Sequence, residues 1–76
     1  MSVCVLMAKL ALPMDQARRR GVTSFQVQQA IAEQHDPQAR EIARAVAWYV
    51  YTANDDSGLT SKQLAAQVRR SCEASQ

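Results

Sequence analysis

Cys4 and Cys72 stand near opposite ends of a 76-residue chain and are its only cysteines. Two states are open to them. A bond between them closes nearly the whole chain into one loop, and chain-entropy reasoning gives about 4 kcal/mol for so long a closure. Two unbridged thiols would instead act as small apolar residues, the usual condition in a reducing cytosol. A single small core supplies only about 3–5 kcal/mol, so the choice decides much of the stability. Metal binding is not expected, because the two cysteines and the lone His35 are far apart and offer no local ligand pair.

Composition narrows the class. Hydrophobic residues make up 47% and charged residues 21%, the balance of one small globular domain rather than a disordered tail. Nine Lys and Arg against seven Asp and Glu leave +2, well short of the concentrated charge of a nucleic-acid binder. No apolar run reaches the roughly 20 residues a membrane-spanning helix needs. The Met1–Ala8 stretch lacks a basic flank and meets Lys9 too early for a signal peptide. If Met1 is the native start, a cytoplasmic protein with free thiols is expected. If a leader was removed ahead of it, the expectation is a periplasmic or secreted protein.

The apolar periodicity predicts an all-α bundle of about four helices in a single domain spanning residues 1–76. Val3, Leu6, Leu10, Met14 and Ala17 stripe the first helix, which Pro13 should kink or break. Arg18–Arg20 fill its last turn, where cations offset the helix dipole, and Gly21 supplies a left-handed cap. Thr23 and Gln26 form a capping box for the second helix, stapled by Val22 and Val27, with Val27, Ala30 and Ile31 as its buried face. Asp36-Pro37 opens a third helix running to about Ala53. Its stripe is Ala39, Ile42, Ala43, Val46, Val50 and Ala53, with Ala47, Trp48 and Tyr51 as a second apolar face. After a polar turn at residues 54–58, Thr60 and Gln63 repeat the capping box, and Leu64, Ala65, Val68 and Cys72 form the inner face of a fourth helix. The two starts, GVTSFQV and GLTSKQL, share capping grammar rather than a solenoid repeat.

Little here points to catalysis. His35 lies at a helix junction beside Asp36, with no nucleophile next to it. Asp55 and Asp56 sit in a turn, where Asp bonds its own backbone. The two glycines follow helix ends or turns, so no phosphate-cradling loop exists, and no cofactor is expected. Arg18, Arg19, Arg20, Arg69 and Arg70 would converge if the first and fourth helices lay side by side, making a patch for phosphate or an acidic partner; the alternative is that they are ordinary helix-end cations. Residues 60–68 resemble the first helix of a helix-turn-helix without its recognition helix. Tyr49 and Tyr51, with Arg40 and Arg44 beside them, are candidates for a protein-binding face, at least one of the tyrosines being expected at the surface.

Cys4, Arg18-Arg-Arg-Gly-Val22, Val50-Tyr51, Leu59-Thr60 and Cys72 together resemble a group of small secreted or periplasmic proteobacterial helical proteins with a cysteine near each end. The resemblance implies a signal-cleaved helical domain with a Cys4–Cys72 disulfide, and carries over no catalytic residue. The leading expectation is therefore a non-enzymatic interaction protein of the bacterial envelope, of the inhibitor or immunity type, whose partner is a protein rather than nucleic acid. The alternative is a cytoplasmic regulator, phage-encoded or chromosomal, binding a transcription factor or nucleic acid. A third reading is a structural subunit that forms a homodimer through the third helix.

Overall fold

In a computed structural model, which describes residues 2–52 and 58–75, the described residues form four helices and no strand. They are α1 (Val3–Arg19), α2 (Ser24–Ala32), α3 (Pro37–Thr52) and α4 (Ser61–Ala74). Their starts follow from the need to satisfy the first free amide groups of each helix. Thr23 and Thr60 accept from the backbone of Gln26 and Gln63, whose side chains accept in return, so both expected capping boxes form. The Asp36 carboxylate accepts from the Gln38 amide at 3.0 Å. Ser2 caps α1 by accepting from Val5 at 3.2 Å.

The end of α1 is equally determined. Gly21 adopts φ +96°, the left-handed conformation that closes the helix. The Gly21 amide donates to Arg18 O and the Val22 amide to Ala17 O, each at 3.0 Å, the bond pair of a Schellman cap. Pro13 leaves α1 undivided: of the expected kink or break, no break occurs. The ring sits at an exposed position, so the carbonyl that loses its donor lies toward water.

The packed helix pairs are α1 with α4, α1 with α3, and α2 with α3, with a slighter α3–α4 contact. This makes an open series, α4–α1–α3–α2, about two helices deep at 16 Å and spread over 33 × 31 Å. Ala11, Val46, Val50, Leu64 and Val68 form one buried cluster, where α1, α3 and α4 meet. Val27, Ile31, Ala43 and Ala47 form a second between α2 and α3. Ala30 departs from expectation: it is exposed, because α1 stands away from that face of α2. Ala53 and the turn at residues 54–57 lie outside the described residues.

Two ties hold α1 against α4, one at each end. Cys4 and Cys72 form a disulfide with Cα atoms 5.4 Å apart, within the usual range. At the other end, Asp15 is fully buried. It accepts from Arg18 Nη2 at 2.9 Å and Arg19 Nε at 2.7 Å, and across the interface from Ser61 Oγ at 2.7 Å. Arg19 also donates to the Leu59 carbonyl ahead of α4. Close by, the Tyr51 hydroxyl donates to Val22 O at 2.7 Å, joining the end of α3 to the α1–α2 turn. Burial pushes the Asp15 carboxyl up, but the hydrogen bonds from Ser61, Arg19 and Arg18 outweigh it and hold the group below its ordinary value of 3.8. Burial raises the Tyr51 phenol, opposed by the nearby Arg18 charge.

Both ties are testable. Reduction of a bridge spanning 68 residues should cost about 4 kcal/mol. In a domain of this size that lowers Tm by roughly 20 °C, read by circular dichroism with and without reductant. Because the folded Asp15 carboxyl titrates below the unfolded one, its stabilisation is complete above about pH 4 and lost as pH falls further. Asp15→Asn should destabilise at neutral pH by about 2 kcal/mol and flatten the acid limb of the urea-midpoint profile. An unchanged profile would remove Asp15 from that role.

Candidate functional site

Surface chemistry here is decided by which side chains the two ties and the two apolar clusters leave uncommitted. The antiparallel α1–α4 pairing places Arg18–Arg20 beside Ser61, and Arg69 and Arg70 within a turn of Cys72. The first and fourth helices do lie side by side, but antiparallel, and the eight residues from Ser61 to Arg69 span about 12 Å of helix, so the expected convergence of the five arginines does not form. Arg18 and Arg19 are engaged with Asp15, Arg40 donates to Gln34 O at 2.9 Å, and Arg69 pairs with Glu73 at 3.3 Å. Arg20, Arg44 and Arg70 are exposed.

The aromatic residues distribute differently from their sequence reading. Tyr49 and Tyr51 are both half-buried and pack against the α1–α3–α4 core cluster. Trp48, read as part of an apolar face, is 68% exposed. The correction has a geometric cause. Successive helical residues turn by about 100°. Ala43 and Ala47 take the side facing α2, while Val46 and Val50 take the side facing α1 and α4. Trp48 then falls on the remaining arc, one turn after exposed Arg44. Its indole borders a shallow depression of about 200 Å³ between α3 and α4, walled also by Met7, Tyr49, Val68 and the bridged Cys72. Phe25, at the start of α2, is likewise 68% exposed. No sequence signal separates Trp48 from its buried neighbours, because the arc it occupies is set by where the other helices pack.

A second concavity lies on the other side of α3. Since α1 and α2 are not a packed pair, a groove of about 420 Å³ opens between them with α3 as its floor. Leu6, Leu10 and Met14 form one wall, Ala30 and Ile31 the other, and Ile42 lies beneath. Gln34, at one end, is the only polar side chain in its lining. The apolar stripes that build these walls were legible as helix faces, whereas the gap between them was not.

His35 is exposed at the α2–α3 junction. Among the described residues no three His, Cys, Asp or Glu side chains gather as a metal-binding group, and no helix is long and apolar enough to cross a membrane. Every buried polar side-chain atom among the described residues has a hydrogen-bond partner. Comparison with protein-family models, curated proteins and solved structures gives no match for this chain.

The difference between Trp48 and its buried neighbour is measurable. Trp48→Ala should change stability by less than about 0.5 kcal/mol, whereas Val46→Ala should cost about 2 kcal/mol or more. Trp48 fluorescence in the native protein should be quenched by iodide nearly as well as free indole. A shielded indole would contradict the exposed position.

Proposed function

We propose that this chain is a non-enzymatic interaction protein of an oxidising compartment, the bacterial envelope by the resemblance noted above, acting as an inhibitor or immunity-type binder of a protein partner. The observation that carries this reading is Trp48, 68% exposed on a helix anchored at its core face by Val46 and Val50. A large ring left in water by a fold this small costs apolar surface that a partner can cover, and Trp and Arg are the side chains most enriched among binding hot spots. Arg44, one turn before it, adds a charged donor at the edge of the same surface. The Cys4–Cys72 bridge supports an oxidising location over the cytoplasmic alternative, because such bonds persist where thiols are not kept reduced. It also keeps the α1–α4 pair rigid beneath the Trp48 depression, lowering the ordering cost of association.

The test is affinity capture from periplasmic extract, run in parallel with wild-type protein and with Trp48→Ala and Arg44→Glu, both at positions where folding should be undisturbed. A partner retained by wild type at micromolar bait and lost by at least tenfold with Trp48→Ala is the expected result. Capture indifferent to Trp48, or none at all, rejects the reading.

A further inference from the structure

The two sulfurs of the Cys4–Cys72 bridge stand in unequal surroundings. Cys4 is 1% exposed. Cys72 is half-buried and walls the depression beside Trp48, whose lining does not include Cys4. Ala45, Ser71 and Ser75 on the same lining are exposed, so the depression opens to water. A thiolate attacks a disulfide from the side opposite the sulfur it displaces, so access decides which of the two sulfurs is attacked. In the folded protein the accessible one is Cys72.

The helix ends bias the exchange the same way. Cys4 is the second residue of α1, and Cys72 lies in the last turn of α4. The displaced sulfur takes on negative charge, which a helix N-terminus stabilises and a helix C-terminus opposes. Glu73, next to Cys72 in sequence, is paired with Arg69 and so adds little net charge there. Burial weighs against a lasting thiolate at Cys4, so that sulfur takes up a proton once released. We infer that Cys72 is a modification site, the position at which a small monothiol opens the bridge. The attacking thiolate sulfur bonds to Cys72 Sγ, the Cys4–Cys72 bond breaks, and its electron pair leaves on Cys4 Sγ, which is then protonated by solvent. A second thiolate completes the reduction by attacking the mixed disulfide, or Cys4 attacks Cys72 again and expels the first. The adduct on Cys72 stands in the depression that Trp48 borders, whether or not a protein partner docks there.

Oxidised wild-type protein mixed with β-mercaptoethanol, quenched in acid at successive times and digested with pepsin, gives the position of the adduct by mass spectrometry. Extrapolated to zero time, adducts on Cys72 should exceed those on Cys4 by about tenfold or more, the bias expected from the two helix ends before access is counted. In urea sufficient to unfold the oxidised chain the ratio should fall toward parity, because the fold is what distinguishes the two sulfurs. The rate of opening should be proportional to thiol concentration and indifferent to urea below the unfolding transition, as attack on the native state requires. Ala45→Trp, at an exposed position on the lining, should slow opening severalfold with Tm unchanged. A native ratio near parity, adducts mainly on Cys4, or opening that accelerates in step with unfolding would each overturn the inference. So would an Ala45→Trp protein that folds as wild type does and opens as fast. None of these outcomes bears on capture through Trp48.

Discussion

One buried carboxylate organises the end of the molecule where the helices meet. Asp15 is fully removed from solvent in a chain whose hydrophobic clusters are small, and burying an unpaired charge there would unfold it. Two arginines from its own helix and the Ser61 hydroxyl from the first turn of α4 make the burial tolerable. Because Ser61 is contributed by a different helix, the bond is also positional. It sets the height of α4 against α1, and with it which side chains of α4 meet Ala11, Val46 and Val50. Arg19 carries the tie one step further, to the Leu59 carbonyl. The disulfide at the far end then holds a register already specified by side-chain chemistry.

Much of this architecture was legible in the sequence because its determinants are local. Thr23 with Gln26, Thr60 with Gln63, and Gly21 after three arginines each satisfy backbone groups within a turn, so spacing alone reveals them. The stripes on α1, α3 and α4 were equally visible, since a helix with one apolar side has few ways to bury it. Asp15 was not visible. An aspartate three and four residues before arginines reads as a solvated surface pair, and only the approach of Ser61 from 46 residues away converts it into a buried one. Trp48 failed for the complementary reason. Its apolar character was evident, but its exposure depends on how much of α3 the neighbouring helices cover.

The two candidate surfaces share one origin. Four short helices arranged as the series α4–α1–α3–α2 do not close around a common axis, so α3 keeps a groove on one side and an uncovered indole on another. Alanines at positions 17, 30, 39 and 43 widen the groove by leaving its walls low.

The most extensive packing in the fold joins the two ends of the chain, α1 and α4. For an open chain this is the slowest contact to reach, since the entropy of closing the intervening loop must be overcome before the interface rewards it. The α2–α3 hairpin, joined by a four-residue connection, can form long before. Once Cys4 and Cys72 are linked, the order of difficulty changes. The oxidised polypeptide is topologically a ring in which α1 and α4 are sequence neighbours, and its most distant partners become those halfway round, in α2 and α3. The bridge therefore changes the route to the native state as well as its depth, and the first oxidation of a newly made chain differs physically from every later refolding.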